Sequence, residues 1–289
     1  MRSVASLFVA SLLATASARA QPARPTRGAS ARSTPATQLR FTWRAGQRVR
    51  YAVESEQSMT PGPRTSHSTM VEEVETVSVS PEGVASQRLR VVDLTLDAAV
   101  PEAQRRALVR GLREVSVEYQ QDPRGAIRGA RVVGQPDEPV AAFVRTIIEG
   151  LEQTGAPLPE TAARVGQSWV DRRAMRLQPA PGVTTELDMV NTYTLRALRG
   201  AGDARVAVIE AVSEIRSRPG AEVAGVPLTA SGGSRGTTEV RLDGAVMQRV
   251  ETRGTMRVSL RVQGRAVNIE IRTRTLLRAS PARATVDES

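Results

Sequence analysis

From residue 256 to residue 275 the chain alternates between apolar and polar side chains with a period of two, and that alternation admits only half-buried β-strands. Met256, Val258, Leu260 and Val262 fall on one face, and Arg257, Ser259 and Arg261 on the other. Val267, Ile269, Ile271, Thr273 and Thr275 then alternate with Asn268, Glu270, Arg272 and Arg274. A helix would scatter these residues around its whole circumference; a strand sorts them. Gly264-Arg265 suits a two-residue turn with Gly at its first central position. That turn predicts a register in which Val262 opposes Val267, Leu260 opposes Ile269 and Val258 opposes Ile271, so the apolar face runs on across both strands. It also sets Arg257 against Arg272, a like-charge pair that Glu270 relieves from the diagonal.

The same pattern recurs along most of the chain. A second hairpin is expected at Asp243-Gly244, a strong turn dipeptide. Further strands are predicted over 47–57, 69–80, 84–95, 114–121, 126–133, 167–177, 184–198 and 204–216, many of them ended by Gly or Pro. Two stretches change period. In 137–153, Val140, Phe143, Val144, Ile147, Ile148 and Leu151 form a stripe at helical spacing, with Asp137 as N-cap and Gly155 past the end. A weaker helix is expected over 101–113. The predicted fold is therefore mainly β: a curved antiparallel sheet, half-barrel or open barrel, with the 137–153 helix packed on it.

Three short matches suggest that the sheet has two related halves, about 41–135 and 160–280. Arg44-Ala45-Gly46-Gln47 resembles Arg164-Val165-Gly166-Gln167, Val74-Glu75-Thr76 resembles Val190-Asn191-Thr192, and Gly125-Ala126-Ile127 resembles Gly244-Ala245-Val246. Their offsets lie between 116 and 120 residues. Where the first half has its short helix, the second has 217–236, a Gly-rich stretch without clear periodicity. It reads as a long loop able to cover the mouth of the sheet.

Composition narrows the functions. With no Cys, the chain cannot form a disulfide scaffold, a thiol enzyme or a Cys-ligated metal site, and its single His, His67, argues against a His-based triad or His-rich metal site. No cofactor is expected. The formal net charge is +10, yet every basic residue is Arg, a bias that a GC-rich genome imposes by itself. Within 41–280 stand 33 arginines against 28 acids, mixed along the strands, and only 3% of the residues are aromatic. Nucleic-acid binding, which uses a concentrated basic patch with stacking platforms, is not expected.

Residues 1–20 read as a secretory signal peptide: Arg2, a short apolar core from Val4 to Leu13, and a small-x-small cleavage site at Ala18-Arg19-Ala20. The core is too short to span a bilayer, and no later run is long enough. The expected location is periplasmic or extracellular. Residues 21–40 read as a disordered linker rich in Pro, Ala and Arg, 41–280 as a single domain, and 281–289 as a tail.

Leu158-Pro159-Glu160, followed by Val165-Gly166-Gln167-Ser168-Trp169, is similar to a Pro…Val-x-x-Gly-Asp-Ser-Trp signature found in a family of uncharacterised secreted β-rich bacterial proteins. Gln167 stands where the acid is commoner. The early Gly46, Val49 and Tyr51 strand and the middle helix fit the same order of elements. The shape this resemblance implies looks like the half-barrels of periplasmic lipoprotein and lipid carriers. It supplies no catalytic residues.

The remaining candidates for chemistry are sparse. His67 reads as solvated, and no Gly-x-Ser-x-Gly elbow surrounds Ser66 or Ser68. In Glu72-Glu73-Glu75, Glu73 and Glu75 share a face and read as a solvated outer surface. Gly232-Gly233-Ser234-Arg235-Gly236 offers backbone N–H groups to an anion but lacks the ending of a P-loop. Trp169 reads as a core anchor packed on Phe143 or Ile147, or else as a cavity wall. The function expected is non-enzymatic: binding of an apolar or amphiphilic ligand such as a lipid, or of an envelope protein, in the hollow of the sheet. Phe143, Ile147, Leu151 and Trp169 are the expected ligand-binding residues. One alternative is an adhesive module holding anionic polymers through Arg257, Arg261, Arg272 and Arg274. Another is a hydrolase using two carboxylates. The oligomeric state is open.

Overall fold

The computed structural model describes residues 35–281 apart from 62–63, 98–99, 155–157, 181–182, 224 and 263–264. The signal peptide expected at 1–20, most of the linker and the tail lie outside these residues. The elements are β1 (Arg48–Thr60), β2 (Arg64–Val79), β3 (Ala85–Leu96), α1 (Glu102–Arg113), β4 (Ser116–Gln121), β5 (Ile127–Val133), α2 (Glu138–Thr154), β6 (Ser168–Ala180), β7 (Val183–Arg199), β8 (Val206–Ser217), β9 (Glu222–Val223), β10 (Val226–Arg241), β11 (Val246–Val262) and β12 (Arg265–Pro281). Eleven strands follow one path, β5-β4-β3-β2-β1-β12-β11-β10-β8-β7-β6, and β9 pairs only with β10. All the pairings are antiparallel. The sheet does not close into a barrel, because β5 and β6 stand at its two edges.

Two meanders make up this path. One runs β1 to β5, the other β6 to β11, and β12 joins them by pairing with both β11 and β1. The turns that open the meanders match bond for bond. Gly46 donates to Thr76 O at 2.8 Å, Thr76 N–H returns to Gln47 O at 2.8 Å, and Gln47 N–H closes on Arg44 O at 3.1 Å. Gly166 donates to Leu195 O at 2.7 Å, Leu195 N–H returns to Gln167 O at 3.0 Å, and Gln167 N–H closes on Arg164 O at 2.9 Å. Both glycines take positive φ, 79° and 90°, where an L side chain is strained. Thr76 therefore corresponds to Leu195, an offset of 119. The match of Val74 with Val190, offset by 116, is not structural: an odd shift of three residues puts the two on opposite faces.

The closing hairpin corrects the expected register. Leu260 pairs with Val267, Val258 with Ile269 and Met256 with Ile271, two residues from the prediction. The even shift keeps every apolar side chain on the same face and brings Arg257 directly opposite Glu270, with Arg257 Nε 2.9 Å from Glu270 Oε2. That register gains the Arg257–Glu270 pair and also sets Arg253 opposite Arg274 and Arg249 opposite Arg278, with Glu251 bonded to Arg249, Arg253 and Arg274.

Residues 217–236 are also corrected. Instead of a loop over the mouth, they supply β9 and most of β10, which lies between β8 and β11. Its glycines permit a tight bend. A Cβ on Gly232 would stand 2.4 Å from Thr255 O and 2.8 Å from Met256 Cα; one on Gly236 would stand 2.8 Å from Glu251 O. β10 can approach β11 so closely only without side chains there, as at a barrel corner. The backbone N–H groups of Gly232–Gly236 serve the sheet, so the stretch forms no anion nest.

The expected linker boundary at residue 40 moves as well. Thr37 bridges Ala163, Phe41 donates to Pro123 O at 2.8 Å, and Thr42 accepts from Gly244 N–H at 2.8 Å. Leu39 is fully buried, beside Phe41 and Trp43. The segment 37–43 is a strap across one end of the sheet, tying the turn before β6 to the β4–β5 and β10–β11 turns. Three apolar side chains in five residues repay the ordering of so short a segment.

Both helices lie on the hollow side. Val140 N–H bonds to Asp137 Oδ1 at 3.0 Å, the expected cap of α2. Val140, Phe143, Val144 and Ile147 are buried with Leu89, Leu94, Val117 and the α1 residues Leu108 and Leu112. The helices meet closely at Gly111, where a Cβ would lie 2.5 Å from Val140 Cγ2.

Candidate functional site

Between the hollow face and α2 lies a cavity of about 400 Å³, within the range of small-molecule pockets. Side chains reach it from β1, β2, β3 and β4 of the first meander, from β7, β8, β10 and β11 of the second, from β12 and from α2. Strands so far apart along one sheet share a single space only because the sheet curves around it. The lining is mostly apolar: Val53, Met70, Leu94, Met189, Ile215 and Leu277 among others. Of the expected ligand-binding residues, Phe143, Ile147 and Leu151 line the cavity. They sit at i, i+4 and i+8, a spacing that keeps them on one side of the helix.

Trp169 does not line it, nor does it pack beneath α2. It pairs across the strands with Tyr193, ring centroids 5.7 Å apart and planes at 27°, within the cluster that includes Leu39, Phe41 and Trp43. Tyr193 faces the cavity, and Trp169 stands beside it. Burial pushes the Tyr193 phenol up to about 12, opposed by nearby Arg173.

The charged group of this site is Glu72. It is one member of an acidic triplet whose other two carboxylates face outward, Glu73 paired with Arg50 at 2.8 Å and Glu75 with Arg48 at 3.1 Å. Glu72, between Met70 and Val74 on the inner face, points into the cavity. Its side chain is half-buried and keeps surface toward that space. Burial alone pushes its pKa up to about 7. Tyr51 is its cross-strand partner. Burial raises the Tyr51 phenol to about 12, a hydrogen bond to the Met247 backbone pulls it down, and Glu72 adds to the rise. Tyr119, also on the cavity wall, is raised further by burial, with Glu72 and Tyr51 adding to it. The alternation that puts Glu73 and Glu75 on one face puts Glu72 on the other, and the parity Met70-Glu72-Val74 is the signal that marks that face as the inner one.

A polar row crosses the hollow face and meets the cavity at Asn191. Through successive pairings it runs Asp171, Asn191, Ser213, Ser234, Gly254, Thr273 and Gln57. At one end Arg173 Nε donates to Asp171 Oδ2 at 2.6 Å, Asn191 approaches the same oxygen at 3.5 Å, and Ser213 donates to Asn191. Further along, Ser234 Oγ, Thr273 Oγ1 and Gln57 Oε1 are buried without a hydrogen-bond partner. Each such orphan costs about 1–3 kcal/mol. Beyond the row lies an apolar cluster with Leu187, Leu228, Ala230, Met256 and Val258, and its members Met175, Met189 and Ile215 also line the cavity.

On the outer face of β11 and β12 five arginines gather on two acids, so the charge there stays positive. Arg257 and Arg272 share Glu270, while Arg249, Arg253 and Arg274 share Glu251. These bonds hold Glu251 and Glu270 below the usual carboxylate range. The side chain of Arg261 lies outside the described residues. Among the described residues no cluster of three or more His, Asp or Glu is arranged to hold a metal, and no helix is long and apolar enough to cross a membrane. The chain matches no protein-family model, and no curated protein is significantly similar to it.

Proposed function

We propose that this is a secreted, non-enzymatic protein of the bacterial envelope that holds an apolar or amphiphilic ligand between its curved sheet and α2. The observation that carries this reading is the cavity itself: about 400 Å³, mostly apolar, and lined from both meanders and the helix together. A core built for stability alone would fill such a space with side chains, since interiors pack to near-crystalline density. The unfilled volume and its polar fringe match what small-molecule sites offer. The reading also rests on the signal peptide expected at residues 1–20 and on the half-barrel resemblance.

Two measurements test it. Organic extraction and mass spectrometry of the purified protein should release a lipid-like compound. The fluorescent apolar probe N-phenyl-1-naphthylamine should bind at a single site, and Ile147→Trp, which fills the space, should abolish that binding while the thermal transition persists. A protein that yields no compound and binds no probe overturns the proposal.

A further inference from the structure

The cavity wall differs from the rest of the molecule in charge. The chain carries forty arginines and thirty acids, yet among the described residues that line the cavity one alone is charged, and it is an acid, Glu72. No Arg reaches the lining of a protein whose net charge is +10. Beside Glu72 stand Tyr51, its register partner, and Tyr119 from β4. We propose that the cavity selects amphiphiles with a cationic amine head, whose ammonium group pairs with Glu72 while the chain lies along Phe143, Ile147 and Leu151. This deepens the carrier reading and rests on it.

The selectivity follows from electrostatics in a space of low polarity. An anionic head placed here would bring a second negative charge beside a carboxylate, with no cation on the wall to offset either; desolvation would add to the repulsion. A protonated amine instead supplies the missing counter-ion and donates charge-assisted hydrogen bonds to the carboxylate. Tyr51 and Tyr119 remain neutral through the physiological range, because burial raises both phenols. They can donate hydrogen bonds to the head region without adding charge. Arg241 acts on Tyr51, while burial alone acts on Glu72, and the Arg241 guanidinium donates from Nε to the Asp243 carbonyl at 3.0 Å. Glu72 itself takes up a proton near neutrality, so the preference for amines is strong at pH 8 and fades toward pH 5, while binding of a neutral chain is unchanged.

The test uses the full mature chain and three probes of equal length, dodecylamine, dodecanol and dodecanoate, each displacing N-phenyl-1-naphthylamine. At pH 8 dodecylamine should bind roughly tenfold or more tightly than dodecanoate. That gap should shrink at pH 5. Glu72→Gln should remove the gap at pH 8 and leave dodecanol binding intact, which also shows that the variant is folded. Should that variant fail to bind dodecanol, the pH series on the wild-type protein decides. Equal or tighter binding of dodecanoate at pH 8, or an amine preference that Glu72→Gln leaves in place, overturns the selectivity and leaves the carrier reading standing. If the probe binds and none of the three displaces it, the amine proposal fails; if the probe itself does not bind, the carrier reading fails with it.

Discussion

The two meanders begin on the same turn and end as different walls. In the first, β4 and β5 are short, six and seven residues, and two helices cover the inner face that the strands leave bare. In the second, β10 and β11 run 16 and 17 residues; their inner positions carry glycine, serine and threonine as well as aliphatic residues, and the sheet bends around on itself. One half encloses space by adding helices, the other by removing side chains. The comparison teaches that a hollow needs both a lid and a hinge, and that here each half supplies one of them. Glu72 and the helix stripe belong to the first wall, the orphaned hydroxyls of Ser234 and Thr273 to the second wall and its seam with the first.

The comparison can be broken hardest at the bend. Gly232→Val should destabilise the protein by more than about 3 kcal/mol, because the new side chain meets backbone that cannot yield without separating β10 from β11. A urea titration followed by circular dichroism measures it. In the first wall, Leu112→Ala should cost about 3 kcal/mol by opening a void between α1, α2 and β3. If the helices were a loose lid, the loss would stay within a few tenths.

Glu72→Gln sharpens the difference between the walls through pH. The carboxyl is pushed from its ordinary 4.5 to about 7, so the folded state binds its proton more tightly than the unfolded chain does. Stability from this group is therefore present below pH 4.5 and is lost as pH rises toward and through 7. The full shift corresponds to about 3 kcal/mol. Since the group faces a cavity that water can enter, about 2 kcal/mol is expected. Glu72→Gln should accordingly stabilise the protein at pH 8 and make little difference at pH 4, read from urea midpoints at the two values. The smallest effect compares the matched turns. Gln47 Nε2 donates to Gly244 O at 2.7 Å and ties the two meanders together, whereas Gln167 Oε1 accepts from Arg164 N–H at 3.1 Å within its own turn. Gln47→Ala should cost about 1 kcal/mol and Gln167→Ala about half of that. Equal losses would mean that the contact between the turns adds nothing.

Much of this architecture was legible before folding was considered. Alternation marked most of the long strands, though not β10 or the first half of β11; the stripe from Val140 to Leu151 marked α2 and its inward face, and Asp137 marked its cap, because these are local properties written at period 2 and 3.6. The sharing of the 44–47 and 164–167 turns was legible for the same reason. The site was legible in part: Phe143, Ile147 and Leu151 were expected to face the hollow and do so, while Trp169 was placed in the wrong cluster and Glu72 was given no role.

What only the tertiary structure decided is where distant segments meet. Gly-rich 226–236 has no periodicity of its own; it is a strand because β8 and β11 present ladders on both sides and because its missing side chains let the sheet turn a corner. The strap 37–43 resembles a linker until Ala163, Pro123 and Gly244 are brought beside it. The last hairpin closes with Val262 opposite Arg265, a register that an alternation pattern leaves undetermined by any even number of residues. Glu72 acquired its character in the same way: parity with Met70 and Val74 sets it on the inner face, and its chemistry comes from the curvature that wraps apolar wall around it.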